Sequence, residues 1–139
     1  MSTDRRHVGF TLPRFTVTIE PERLARFADA IGESSTGVIA PPTFLKVIEG
    51  EGASSRRILD ELGVDLRRVL HAEQQFEYFT PMGVGDSVSV ERKVVDIYEK
   101  KGGEMEFIVI ETSFFAATGE RVAISRQIVL VRHPKKREQ

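Results

Sequence analysis

The chain has no cysteine among its 139 residues, which excludes disulfide bonds, thiolate metal sites and a cysteine nucleophile. It also has no charge excess, because 20 Lys and Arg residues nearly cancel 21 Asp and Glu residues. Its overall charge therefore does not indicate a nucleic-acid partner. No apolar run is long enough to span a bilayer, and no signal-peptide-type run follows Met1, so we expect a cytoplasmic protein.

The composition is that of an ordinary globular domain. Hydrophobic residues make up 40% and charged residues 29% of the chain, which leaves enough apolar side chains for one sizeable core. We therefore predict a single domain over residues 1–139. Its last seven residues, from His133, form a basic tail that we expect to be disordered.

The N-terminal half shows one strand followed by helices. Phe15–Ile19 alternates as a strand does. A helix opened by Pro21 should run over Glu22–Ile31 and end at Gly32. A short apolar helix should follow over about Pro42–Glu49. A third helix should begin at the N-cap residue Ser54, run through Leu62 and stop at Gly63.

The C-terminal half consists of a run of long strands joined by tight turns. The predicted strands are Leu70–Phe79, Ser87–Tyr98, Glu106–Ala117 and Arg121–Arg132. Few helices followed by such a run favour an α+β fold with an antiparallel sheet. The simplest packing wraps this sheet around the short apolar helix, whose apolar residues would then be buried, namely Phe44, Leu45, Val47 and Ile48.

The proline pair before that helix suggests a ligand site. Proline suits the first helical position, and the free N–H groups of Thr43 and Phe44 should then point out of the helix start. Backbone donors aimed in this way can hold a carbonyl oxygen, such as that of a thioester, while it gains negative charge.

Four segments in this order resemble the N-terminal type of MaoC-like dehydratase domain: Ile39–Phe44, Leu70–Tyr78, Gly85–Asp86 and Asp96–Gly103. The resemblance extends from about Phe15 to Arg132. It implies a hot-dog fold, usually paired as a double hot dog, and an activity related to R-specific enoyl-CoA hydratases and hydroxyacyl-thioester dehydratases. It also implies acyl-thioester ligands carried by CoA or acyl carrier protein, no cofactor, and a homodimer or a heterodimer with a related hot-dog subunit.

The chain departs from the family in the catalytic loop. Active members resemble one another in an Asp-x-Asn-Pro-x-His loop between the first two helices, whereas here only Glu33–Gly37 separates Gly32 from Val38. No catalytic Asp or His can be assigned by matching. Asp29 and Glu33 are the remaining candidates, and the alternative is that both are solvated acids. Some related heterodimers contain one subunit that lacks the catalytic pair and binds the acyl chain, so the alternative is a non-catalytic acyl-thioester-binding subunit.

The resemblance places substrate binding at the proline-led helix, with candidate residues Pro42, Thr43, Phe44 and Ile48. Thr43 could donate to the thioester or simply cap the helix. Phe44 and Ile48 could line an acyl tunnel and belong to the core at the same time. Glu49 would matter in a hot-dog thioesterase, a further alternative, although an exposed acid in the last helical turn is the simpler interpretation.

Several charged residues also have open alternatives. His71 should share a polar strand face with Glu73, Gln75 and Glu77, opposite Leu70, Ala72, Phe76 and Tyr78. This pattern favours solvent or a subunit interface over catalysis by His71. Arginines around the third helix could meet phosphates of CoA or an acidic carrier, or lie on a solvated surface: Arg56, Arg57, Arg67 and Arg68. No paired ligand spacing predicts a metal site.

Overall fold

The computed structural model describes residues 5–30, 45–50, 54–83 and 85–133. The elements in these ranges are β1 (Phe15–Thr18), α1 (Pro21–Ala30), α2 (Leu45–Glu49), α3 (Ser54–Glu61), β2 (Val69–Tyr78), β3 (Ser87–Lys100), β4 (Met105–Phe115) and β5 (Arg121–Arg132). This order confirms the predicted α+β class. None of the helices in these ranges is both long and apolar enough to cross a membrane.

The five strands form one antiparallel sheet in the order β1-β3-β4-β5-β2. Neighbouring strands β3, β4 and β5 are joined by tight turns and therefore lie side by side. β2 pairs with the far side of β5 and forms a ten-residue edge. The opposite edge is the four-residue β1, and the segment before it continues along β3, where the Leu12 N–H donates to the Arg92 carbonyl.

Two apolar clusters fill the helix-covered face of the sheet. The first apolar cluster consists of Val17, Ile19, Ile48, Met82, Val88, Val90, Phe114, Val122 and Ala123. The second apolar cluster consists of Leu12, Ile58, Leu59, Leu62, Val94, Ile97, Ile108, Ile110, Val129 and Val131. α2 therefore covers the first cluster and α3 the second. The predicted burial of the short apolar helix is confirmed at Ile48, which has no exposed surface.

The predicted faces of β2 are wrong at its start. The pairing register with β5 shifts between His71 and Glu73, which marks Ala72 as the extra residue of a β-bulge. An extra residue moves every preceding side chain to the opposite face. Leu70, predicted on the apolar face, is therefore 50% exposed, whereas Phe76 and Tyr78 beyond the bulge pack against the first cluster as predicted.

The chain remains ordered slightly beyond β5. His133, predicted as the first residue of the disordered tail, donates its backbone N–H to the Glu104 carbonyl. Its ring Nε2 lies 3.3 Å from Oε1 of the buried Glu106. The rest of the predicted tail, residues 134–139, lies outside the described residues.

The β4–β5 turn depends on Gly119, whose φ is +91°. A side chain in this left-handed region costs about 1–2 kcal/mol, so Gly119→Ala should lower the free energy of unfolding by that amount in urea titrations. Thr118→Ala, in the same turn but without a positive φ, should stay within about 0.5 kcal/mol of wild type. Equal effects of the two substitutions would contradict this interpretation of the turn.

Candidate functional site

Most of the sequence-predicted site falls in the segment between α1 and α2. Four of its residues lie outside the described residues: Glu33, Pro42, Thr43 and Phe44. Asp29 is in the last turn of α1, but the placement of its side chain is outside the described part. Ile48 lies fully buried in the first apolar cluster with Phe114 and Val17. Ile48, the predicted site residue whose side chain the structure describes, therefore belongs to the core.

A buried arginine lies directly beyond this cluster. Arg92 of β3 has no exposed surface, and a guanidinium is costly to bury unless its N–H groups are satisfied. Its Nε donates to Thr112 Oγ1 at 3.0 Å, and its Nη2 donates to Gln127 Oε1 at 2.8 Å. Both acceptors are on neighbouring inward-facing positions of the sheet, so the sheet itself holds one side of the guanidinium.

The other side of the guanidinium forms hydrogen bonds with α2 and α3. Nη1 of Arg92 donates to the Glu49 carbonyl at 3.3 Å, to Ser54 Oγ at 2.9 Å and to Ser55 Oγ at 2.6 Å. The Ser54 hydroxyl in turn donates to the Glu49 carbonyl. Through these hydrogen bonds, Arg92 connects the last residue of α2 and the first two residues of α3 to the sheet.

Glu49 is not the exposed acid that the sequence favours. It has no exposed surface, and its Oε2 accepts a hydrogen bond from Ser125 Oγ at 2.6 Å. The charge of Arg92 is the physical reason that a carboxylate can be buried here. Burial lowers the pKa of the Arg92 guanidinium, and the negative charge of Glu49 acts in the opposite direction.

A hydrogen-bonded chain links Glu49 to the edge strand. Gln74 Nε2 donates to Ser125 Oγ at 2.7 Å, and Gln74 Oε1 lies 3.1 Å from His71 Nε2. Because the carboxylate only accepts, the Ser125 hydroxyl must donate to it, and the His71 Nε2 must donate to Gln74. His71 is exposed, as expected. Its ring, however, contacts Gln74 and does not share the face of Gln75 that the sequence predicts.

Together these side chains form a polar belt across the inner face: Glu49, Ser54, Gln74, Arg92, Thr112, Ser125 and Gln127. On β3 the belt separates Val90 of the first cluster from Val94 of the second, and on β4 it separates Phe114 from Ile110. Sequence reasoning missed it because polar residues in strands usually face solvent. The available signal was Arg92, which continues the inward alternation of the valines on both sides.

Three of the four arginines around α3, Arg56, Arg67 and Arg68, lie within 4 Å of a carboxylate. Arg67 and Arg68 both contact Asp65, and the side-chain and backbone N–H groups of Arg67 lower the pKa of Asp65 to about 2. Arg56 lies 3.9 Å from Asp60. In the described part of the chain, no three His, Asp or Glu side chains come together as a metal site would require.

Comparison with known families adds an independent observation. The profile of the family described as FAS1-like, dehydratase domain region, matches residues 6–125, which is most of the chain. The chain belongs to the MaoC-like dehydratase family. A UPF0336 protein from Thermobifida fusca (strain YX) is 31% identical over 148 aligned positions that cover 95% of each chain. Since this alignment is longer than the chain, the relative has residues at positions where this MaoC-like domain has none.

Solved structures identify the fold. The HadBC complex, a 3R-hydroxyacyl-ACP dehydratase from Mycobacterium tuberculosis, superposes with a TM-score of 0.74 at 16% identity, covering 89% of this chain and 96% of that one. A MaoC-like dehydratase superposes with a TM-score of 0.75 at 22% identity, covering 91% of this chain and 42% of that one. The predicted hot-dog fold is confirmed.

Arg92 should be the most sensitive charged residue for stability. Arg92→Met leaves Glu49 as an uncompensated buried charge, so the free energy of unfolding should fall by about 3–5 kcal/mol in chemical denaturation. Adding Glu49→Gln to Arg92→Met should restore at least about 1 kcal/mol, because the unpaired charge is removed. Arg56→Met, on an exposed ion pair, should cost less than about 1 kcal/mol. If Arg92→Met lowered the free energy of unfolding no more than Arg56→Met does, this would show that the buried charges of Arg92 and Glu49 do not stabilise each other.

Proposed function

We propose that this MaoC-like domain binds acyl thioesters of CoA or acyl carrier protein and belongs to an (R)-hydroxyacyl-thioester dehydratase, or enoyl-thioester hydratase. The family match over residues 6–125 carries this proposal. The name of the HadBC complex, a hydroxyacyl-ACP dehydratase, supports it. The same proposal places the domain in the cytoplasm.

The proposed substrate site combines the segment before α2 with the first apolar cluster. Pro42, Thr43 and Phe44 would hold the thioester group, and Ile48 would face the acyl chain. The buried position of Ile48 beside Phe114 in one apolar cluster supports this placement, because an acyl tunnel is lined by core residues.

The proposed chemistry is incomplete in the isolated chain. Hydration needs a base for the water and an acid for the substrate carbon, each worth roughly 10²–10⁴ in rate. Oxyanion stabilisation alone supplies roughly 10²–10³. The short Glu33–Gly37 link has no room for the family's Asp and His motif. We therefore assign this chain the role of an acyl-thioester-binding subunit, with the catalytic Asp and His supplied by a related subunit.

The long edge of the sheet supports such a partner. β2 is ten residues long and pairs on one side with β5. Beyond the bulge at Ala72, Glu73–Tyr78 continues in regular register and contains no Lys or Pro. Proteins usually protect free edges with those residues, because an unpaired edge accepts another strand. A second hot-dog subunit, identical or related, would cover this edge and give the double hot dog.

The proposed division of roles predicts the result of a hydration assay. The isolated chain should bind crotonyl-CoA but hydrate it at most slowly, and adding a co-encoded hot-dog partner should raise the rate at least a hundredfold, since one missing acid or base costs that much. Any slow residual activity that survives the double variant Asp29→Asn/Glu33→Gln would reject both residues as acid and base. Release of free CoA that Glu49→Ala abolishes would instead indicate a thioesterase.

The partner edge can be tested with a matched pair of lysines. Gln75 of β2 donates to Glu73 Oε1 at 2.7 Å, and a lysine there can keep this contact while it blocks an incoming strand. Gln75→Lys should weaken the dimer at least tenfold in sedimentation velocity without lowering the melting temperature of the fold. Thr16→Lys on the opposite edge, β1, should leave the dimer intact. Equal weakening by both lysines would argue against β2 as the interface.

A further inference from the structure

The outer face of the sheet, opposite the helices, carries a row of large apolar side chains. Ile97, Ile108 and Val129 point into the second apolar cluster, so their neighbours along each strand point outward. The pairing register places four outward residues directly opposite one another on adjacent strands, and these form the apolar band: Leu70, Tyr98, Phe107 and Leu130. Leu70, at one end of the band, is 50% exposed.

The next outward row continues this apolar surface. Val109 of β4 and Ile128 of β5 are directly opposite each other, one outward position from Phe107 and Leu130. Contiguous apolar side chains on an outer sheet face usually mark a contact surface, because their contact with water is unfavourable. We therefore expect the apolar band to be covered in the assembled protein.

The charges on the two sides of the band have opposite signs. Lys100 and Arg132 lie on one side, and both are exposed. Asp96 and Glu73 lie on the other side, at the β3 and β2 ends of the row that contains Val109. A surface with a single sign of charge, such as an anionic lipid surface, does not match both sides. A second copy of the same face carries both signs and can match them.

We propose that the apolar band is a contact surface for a second copy of this chain, packed sheet against sheet about a two-fold axis that lies along the band. Each band residue then faces the same residue of the second copy. The rows on the two sides also meet, so that Lys100 faces Asp96 of the second copy and Met105 faces Val109. An axis along the strands would instead place Asp96 over Glu73 of the second copy, which repulsion between like charges disfavours.

This contact is independent of the proposed thioester-binding function, because the band lies on the outer face of the sheet. It is also separate from the contact proposed for the β2 edge. Edge pairing joins two sheets side by side, whereas the band joins them back to back. Both contacts together would give an assembly of four chains.

The test is chemical cross-linking of single cysteines, for which the cysteine-free chain gives a clean background. In Leu130→Cys the two cysteines face each other across the axis, so a short bis-maleimide should give at least fivefold more covalent dimer than in Arg126→Cys. Arg126 is the matched control, because it is exposed on the same face of β5 but lies about 13 Å from the axis. A yield for Leu130→Cys no higher than that for Arg126→Cys would overturn the proposal.

Edge pairing through β2 does not produce this cross-link. The two copies of β5 would then be separated by both copies of β2, which is three strand spacings or about 14 Å. A short reagent would not join their Leu130→Cys side chains. The cross-link therefore reports the band and not the edge.

Substitutions added to Leu130→Cys show whether the band itself makes the contact. Leu70→Glu introduces a charge into the band at a position that is 50% exposed, so the fold tolerates it and the yield of covalent dimer should fall at least fivefold. Phe79→Glu changes an equally exposed residue outside the band and should leave the yield unchanged. Equal losses in the two variants would overturn the proposal.

Exchanging the charges of Lys100 and Asp96 tests the direction of the axis. Lys100→Glu should lower the yield at least threefold, and adding Asp96→Lys should restore it, because opposite charges then face each other again. Within one copy these residues are about 13 Å apart along β3, so restoration reports the contact between copies. Circular dichroism checks the fold of the double variant, since Asp96 Oδ1 accepts the Ile97 N–H; if it does not fold, Leu70→Glu and Phe79→Glu decide. A folded double variant without restoration would overturn the proposed two-fold arrangement.

Discussion

The guanidinium of Arg92 is the constraint on which this structure depends. It has no exposed surface, so the rest of the chain must satisfy it. Thr112 and Gln127 do so from the sheet, while Ser54, Ser55 and the Glu49 carbonyl do so from the helices. Because hydrogen bonds to a buried charge are directional and costly to lose, they define where α2 ends and where α3 begins on the sheet.

The polar belt around Arg92 also bears on the proposed function. The belt divides the interior into one apolar compartment under α2 and another under α3. In the sequence, α2 directly follows the residues predicted to hold the thioester. The proposed function assigns acyl binding to the first compartment, and the Glu33–Gly37 link lacks the Asp and His of the family's motif. Under that proposal, this chain supplies binding and a related subunit supplies the chemistry.

The sequence predicted the order of elements well, because alternation and turn residues are local signals. β5 has the predicted bounds Arg121–Arg132, and Gly63 and Gly119 adopt the positive φ expected of a helix stop and a turn. The sequence-based prediction failed where contacts between residues far apart in sequence determine which side chains are buried. Glu49 is buried beside Arg92, 43 residues away in sequence, and its carboxylate accepts a hydrogen bond from Ser125. The bulge at Ala72 that exposes Leu70 has no distinct residue signature.

The central claim, that an acyl thioester binds beside α2 with its chain in the first apolar cluster, is tested most directly by photo-affinity labelling. The probe is octanoyl-CoA with a diazirine at the end of its acyl chain, competed with unlabelled octanoyl-CoA and mapped by mass spectrometry. The account predicts saturable adducts on peptides that contain Ile48 or its neighbours in the first cluster, such as Phe114 and Val90. Saturable adducts confined to the outer groove lined by Gln75, Glu111 and Arg126, or only unsaturable labelling, would contradict it.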